Sequence, residues 1–517
     1  MTSTTHPEGA ERRAAIGSLR WAAPLLLLMG LAAALRVPGL GAQSFWSDES
    51  ITALLVRRDA GSFLSGVADT ESTPPLYYVL AWMWVKVAGA GEVGLRSLSA
   101  VFGILAVPAA YGAARALVSS RAAWIAGLLV AANPVLVWYS QEARAYSLLV
   151  LLCGLSFWAF VVARAEGTSR SLVYWWLASS LAVYTHYFAV LVVVVEAIWL
   201  LLAQRTRSAR LAVAGVGIAA VALAPLALAQ RSGSHAEYIS ESSLASRLVN
   251  TVKQFVVGRD APHDQLVALV VAAIGVAAVV ALFRSRDRAC REGALVAGGV
   301  GGIAILLSLA LIPLGADYVN TQNSLGTVIP LTAALAAAFA SVRPPAVGSV
   351  AVAAVCVLWF ALVVGVARDE RYQRADWRTA LRVAVANQAP ESGSLLVVGP
   401  DHEGWFARAP VGVYLPEAVS IDPIERTAEA FRPLVRDEEV TEGAARPDKV
   451  VFLLLGSEID EREVERLLAP GHRRLETQSG EGFQIVRYDL SSVERIWRSS
   501  TEPPSLSGVP VATLYVP

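Results

Sequence analysis

Charge is scarce in this chain, and cysteine, methionine and histidine are scarcer still. Only 17% of the 517 residues are charged, and Lys+Arg and Asp+Glu stand at 43 each. The formal net charge is therefore zero, and no long-range field points to nucleic acid. Cysteine occurs three times, at Cys153, Cys290 and Cys356. Two lie in apolar runs and one in a basic loop, so no disulfide in the polar tail and no Cys-metal site is expected. No nucleotide-binding motif, zinc-ligand spacing or convincing internal repeat is present.

What abounds is apolar. Hydrophobic residues make up 55% of the chain, with mean hydropathy +0.51. A soluble protein of this length cannot be that apolar, whereas repeated runs of transmembrane length account for it. The composition also splits. Residues 21–367 are apolar with arginine-rich breaks, and 368–517 are polar and mixed. The expected organisation is a cytoplasmic tail over 1–20, a transmembrane domain over 21–367 and a soluble α/β domain over 368–517.

Transmembrane helices are expected near 21–40, 97–117, 122–139, 143–163, 172–185, 186–202, 211–229, 264–283, 293–313, 327–341 and 346–367. The fold class is thus a polytopic α-helical membrane protein with about 11 transmembrane helices and a small C-terminal α/β domain. The first run follows Arg12, Arg13 and Arg20 and is longer than a signal-peptide core, so it reads as an uncleaved anchor. The clusters Arg115/Arg121, Arg164/Arg170, Arg205/Arg207/Arg210, Arg284/Arg286/Arg288/Arg291 and Arg343 all fall on the cytoplasmic side under two conditions. Residues 172–202 must turn back near Thr185-His186-Tyr187. Leu76–Val87 must lie along the interface, which Tyr77, Tyr78, Trp82 and Trp84 suit as anchors. The N-terminus is then inside and the C-terminal domain extracytoplasmic. Arg36, Arg57 and Arg58 run against the rule, which long outer loops weaken. In the tail, 376–388 and 458–468 read as helices, and 395–398, 449–455 and 483–488 as strands.

Polar residues then collect on the outer face, most of all in the first loop (41–96). Asp48 and Glu49 are adjacent acids after Phe45-Trp46-Ser47. They suit the first turn of a helix capped by Ser47, favoured by its dipole. They also suit general-base chemistry on a hydroxyl. Vicinal acids diverge by about 100° on a helix, so one can face a cavity and the other the loop. Asn133–Tyr146 is a polar island between two apolar spans, containing Glu142, Arg144 and Tyr146. Intramembrane charge is costly and marks function or pairing. Two residues apart on a helix, Glu142 and Arg144 would not face each other, and the fork of Arg144 suits a phosphate. His186, between Tyr184 and Tyr187, reads as structural or functional with equal weight. Asp317, Asn320, Gln322 and Asn323 form a further cluster suited to hydrogen bonding. No spacing demands a metal, although carboxylates and histidine can hold a divalent cation.

Taken in order, Phe45–Ser50, Thr73–Tyr78, Glu92–Ser99, Asn133–Tyr146 and Tyr184–Phe188 resemble the family-39-type glycosyltransferases of the GT-C fold. These are relatives of protein O-mannosyltransferases and of the lipid A aminoarabinose transferase. The likeness covers most of residues 20–200, and Asp376-Trp377-Arg378 resembles the start of the tail domain in bacterial members. It implies an inverting transfer of a hexose (mannose among them) or pentose from a polyprenyl-phosphate donor. The acceptor would be a hydroxyl of a glycan, lipid or protein outside the cytoplasmic membrane. By this resemblance Asp48, with Glu49 beside it, is the catalytic base. Glu142 stands where relatives carry a second acid, and Arg144 and His186 stand where the lipid phosphate is held. Arg57, Arg58, Tyr77, Tyr78, Tyr146 and Gln322 join the substrate-binding candidates. Two positions depart from the pattern. Thr73 precedes the proline pair where many relatives carry histidine, and Gln322 stands where many carry arginine. Arg144 or Arg57 and Arg58 must then do more, or the activity is altered.

The chemistry agrees with the resemblance. An anionic phosphate leaving group wants Arg or His donors, and an isoprenoid tail can stay in the bilayer. The rival readings are a transporter or flippase of lipid-linked glycans, and a non-catalytic scaffold. A transporter would more often show repeats and polar residues at mid-membrane; here the acids gather at one face.

Overall fold

The structure, a computed structural model, describes residues 23–232, 239, 242–385, 394–399, 407–416, 419–420, 449–455, 473–480, 483–489, 505–506, 509–510 and 512–516. The Arg12/Arg13/Arg20 cluster and the expected 458–468 helix lie outside them. The chain divides into two units. One comprises Met1–Gly39, Arg96–Ala224 and Ala236–Val366, and the other Leu40–Leu95, Pro225–His235 and Ala367–Pro517.

Each of the eleven expected spans falls on a helix or a pair of helices. Among the described residues, seven helices can cross a membrane by length and composition: Glu92–Leu117, Tyr146–Glu166, Arg207–Gln230, Asp264–Arg284, Arg288–Leu314, Thr321–Ser341 and Pro345–Arg368. Ser120–Ala132 with Pro134–Ser140 makes an eighth if the bent pair is one span. The expected eleven therefore includes three shorter helices, Ala23–Arg36, Ser169–Thr185 and Ala189–Gln204. Seventeen residues rise about 26 Å, short of a hydrocarbon core about 30 Å thick.

The first unit is helical. Tyr146–Glu166 and Thr321–Ser341 form its interior, each 72% buried along its apolar window. Asp264–Arg284 and Pro345–Arg368 keep Leu269, Phe283, Val350 and Val357 exposed. An exposed face made of such side chains is soluble only in lipid.

The break at Asn133 is where local chemistry shapes this unit most. Pro134 has no N–H, so the Val130 carbonyl loses its helical donor, and the chain bends by 55°. Asn133 caps the new helix by accepting from the Val135 and Leu136 N–H groups at 3.0 and 3.2 Å. Arg36, fully buried, supplies the missing donors. Its Nη2 donates to Val130 O at 3.1 Å, its Nη1 to Ala131 O at 2.7 Å and its Nε to Ser140 Oγ at 3.1 Å. The arginine that ran against the orientation rule is thus a cap for a broken helix.

The second unit holds the sheet. Its strands are β1 (Ser394–Gly399), β2 (Val419–Ser420), β3 (Lys449–Leu455), β4 (Arg473–Gly480), β5 (Phe483–Asp489), β6 (Ser505–Leu506), β7 (Val509–Pro510) and β8 (Ala512–Val516). Six form one sheet in the order β2-β8-β1-β3-β5-β4, and β6 pairs with β7 apart. Only β1 and β3 run parallel; the other pairs are antiparallel. The expected strands are β1, β3 and β5. The helix Trp377–Val385 buries Trp377, Ala380, Leu381 and Ala384, one stripe at helical spacing. That stripe packs with Leu396, Val398, Val451, Leu453 and Ile485 from the sheet.

Candidate functional site

In the second unit the acid pair opens the helix Ser47–Leu55. Trp46, not Ser47, is its cap residue, in extended backbone, and Ser47 is already helical. The first-turn acid does the capping instead. Glu49 accepts the Trp46 N–H at 3.4 Å, so a donor that the helix start leaves over is satisfied. Glu49 is completely buried, and its Oε2 lies 3.6 Å from Arg374 Nη1. Asp48, one residue earlier, is only partly buried. The vicinal acids therefore differ in burial, Glu49 enclosed beside an arginine and Asp48 half-buried.

The other first-loop candidates divide likewise. Arg57 is exposed. Arg58 folds back on its own loop, its Nη1 3.5 Å from Ser62 O and its carbonyl accepting from Trp82 Nε1 at 3.0 Å. Burial lowers its pKa, against the raising effect of Asp69 and Asp59. Tyr77 and Tyr78 are both fully buried, which overturns their reading as interface anchors. Their rings meet edge-on at 5.6 Å, and the Tyr78 hydroxyl donates to buried Glu71 at 2.6 Å. Trp82 and Trp84 remain half-exposed on the helix Leu76–Ala88.

In the first unit Gln141–Ala145 is a turn between the helices Pro134–Ser140 and Tyr146–Glu166. The helical spacing expected of Glu142 and Arg144 does not apply there. Gln141 ties the turn down, its Nε2 donating to Arg36 O at 3.0 Å. Glu142 is fully buried, and Arg144 and Tyr146 nearly so. His186 joins them from the turn between Ser169–Thr185 and Ala189–Gln204, outside both helices. Its ring lies 6.2 Å from that of Tyr146. Burial, then the Arg144 charge, draws its imidazole down to about 4, so it is neutral at physiological pH. Its Nδ1 accepts the Phe188 N–H at 3.4 Å, leaving the proton on Nε2 as a donor. The structure thus brings Arg144, Tyr146 and His186 together in one unit, and Asp48 and Glu49 together in the other.

Gln322 is half-buried on the short turn Thr321–Ser324, which Asn320 caps by accepting from Asn323 N at 2.8 Å. Beside it Asp317 is held by both Nη atoms of Arg247, at 2.7 and 2.6 Å. Sequence reasoning missed Arg36, Arg247 and Arg374. Arg374 stands two residues before the Asp376-Trp377-Arg378 stretch, but nothing local marks it as the partner of Glu49. Among the described residues, no three His, Cys, Asp or Glu side chains cluster as a metal site.

Residues 72–228 match the family described as dolichyl-phosphate-mannose-protein mannosyltransferase. The solved structure of ArnT from Cupriavidus metallidurans bound to undecaprenyl phosphate is similar over 89% of this chain and 97% of its own, at 15% identity and TM-score 0.53. The same protein in the apo state gives 91%, 98%, 15% and 0.54. At that identity the likeness is one of fold. None of the curated proteins compared with the chain matches it in sequence.

Proposed function

We propose that this GT-C-fold chain, with residues 72–228 matching the mannosyltransferase family, is a membrane glycosyltransferase that takes its sugar from a polyprenyl-phosphate donor. The sugar, a hexose or pentose, passes to a hydroxyl on the outer face of the cytoplasmic membrane. The carrying observation is the buried turn that gathers Arg144, Tyr146 and neutral His186. A guanidinium beside an imidazole N–H is a donor set for an anionic leaving group. ArnT, on the same fold, was solved with a polyprenyl phosphate bound, which supports reading that set as the phosphate grip.

Asp48 is the general base. The acceptor hydroxyl attacks the anomeric carbon, its proton passes to the Asp48 carboxylate, and the bond from that carbon to the phosphate oxygen breaks. Polyprenyl phosphate leaves with the electron pair, and the configuration inverts. Glu49 supports Asp48 from behind. Glu142, in the same turn as Arg144, orients a sugar or acceptor hydroxyl. The C-terminal domain lies outside the membrane and the N-terminus inside.

The experiment is transfer from radiolabelled polyprenyl-phosphate hexose in membranes carrying wild type or Asp48→Asn. Wild type should transfer label. The variant, equally abundant, should fall by on the order of a hundredfold or more, the scale of a lost general base. Equal behaviour of the two, with label only changing sides of the membrane, makes the protein a carrier of lipid-linked glycan.

A further inference from the structure

In the second unit a set of polar contacts joins the first loop to Arg374, Ala375, Arg378 and Tyr414, and one of them reaches Glu49. Arg374 makes three of them. Its Nη1 lies 3.6 Å from Glu49 Oε2, its guanidinium stacks 5.3 Å over the Trp46 ring, and its N–H donates to Gln43 Oε1 at 3.1 Å. Next to it Ala375 O accepts from Ser44 Oγ at 3.3 Å. From the helix Arg408–Tyr414, the Tyr414 hydroxyl accepts from Phe45 N at 2.7 Å and donates to Glu92 Oε1 at 2.9 Å. Arg378 reaches the same carboxylate at 3.2 Å. Residues 43–46 and 49 are thus all held by Arg374, Ala375 and Tyr414.

We infer that the tail is a structural part of the catalytic loop, and that Arg374 is the positioning residue that fixes Glu49 and thereby aims Asp48. This rests on the reading of Asp48 as base. Glu49 is fully buried while Arg374 is nearly so, at 11% side-chain exposure, and a buried carboxylate needs a charged partner. The same carboxylate caps the helix through Trp46, so its place fixes the first turn. Asp48 lies in that turn, and its carboxylate moves with it. A general base displaced by about 1 Å loses rate steeply. Arg374 touches no reacting atom in this account.

The test uses full-length protein in membranes or nanodiscs, with Arg374→Ala, Arg374→Lys, Glu49→Gln and the double variant. Arg374→Ala should lower kcat about tenfold or more with donor KM within about twofold, and Arg374→Lys should recover part of it. In the Glu49→Gln background Arg374→Ala should cost little more, because both act through one contact. An additive loss, or an unchanged kcat, overturns the inference. If Arg374→Ala does not accumulate, Tyr414→Phe decides, since it removes one hydroxyl: a lower kcat at unchanged KM supports the inference and a wild-type kcat overturns it. Amide exchange over residues 43–55 needs no activity and keeps the two readings distinguishable. Exchange should quicken about tenfold in Arg374→Ala, and unchanged exchange sinks the inference even where wild type transfers sugar.

Discussion

At the scale of the residue, the first-loop acids show how two neighbours of the same type take different work. Asp48 is half-buried, and Glu49 is enclosed by its own helix start and an arginine. Asp48→Asn should therefore lower transfer about a hundredfold or more with little change in thermal midpoint, whereas Glu49→Gln should lower the midpoint as well, because it weakens a buried ion pair. Comparing melting and turnover of the two variants separates the roles. His186 gives a second contrast. Its folded pKa of about 4 lies below the ordinary 6.5. The neutral form is favoured on folding, so its contribution to stability is present above about 6.5 and is lost as pH falls from there toward 4. His186→Asn should flatten that part of the stability profile and leave no change in the pH-rate curve near 6.5. The acid pair and the Arg144 turn were legible in the sequence because polar residues between apolar runs are conspicuous. The partner of Glu49 was not, because a contact between distant segments leaves no local pattern.

At the scale of the element, apolar length placed every long helix, and its limits explain the count. Ser169–Thr185 and Ala189–Gln204 are separated by the three-residue turn that His186 opens, which the sequence signalled by Thr-His-Tyr between apolar runs. The expected span 122–139 ran straight through the bend at Asn133-Pro134, and the arginine that completes it was read only as an orientation anomaly. The helix Leu244–Val257 lies where no element was expected. It is anchored by the forked contact of Arg247 with Asp317. Hydrogen bonding to Arg247 holds the Asp317 carboxyl below its ordinary value. The stability it gives is therefore present above the ordinary carboxylate range and is lost as pH falls below it. Asp317→Asn should cost about 1–2 kcal/mol at neutral pH, read as a lower thermal midpoint in nanodiscs, and the difference from wild type should close in acid.

At the scale of the whole molecule, the expected division at residue 367 captures the change in composition but not the grouping of contacts. Residues 40–95 group with 367–517, and the reason is the polar seam through Arg374, Arg378 and Tyr414. Composition cannot report such a seam, since a polar loop and a polar tail look alike whether or not they touch. The proposed placement of the N-terminus inside and the C-terminus outside rests on the arginine clusters. A C-terminal alkaline phosphatase fusion should be active and a C-terminal green fluorescent protein fusion dark; the reverse pattern inverts the topology.

Arg36 also bears on how the chain is made. Apart from the Ala32 carbonyl on its own helix, at 3.2 Å, its carbonyl and hydroxyl partners lie 94, 95 and 104 residues further on. When the ribosome delivers the first helix to the bilayer, none of these distant partners has been synthesised. A short apolar segment ending in an unsheltered guanidinium is a poor lone inserter. Its final depth is expected to be reached only after Val130–Ser140 has followed it in. Glycosylation-site mapping on nascent chains stopped at about residue 90 and about residue 190 should show the first helix shallow in the shorter chain and deep in the longer, and Arg36→Leu should make the two alike.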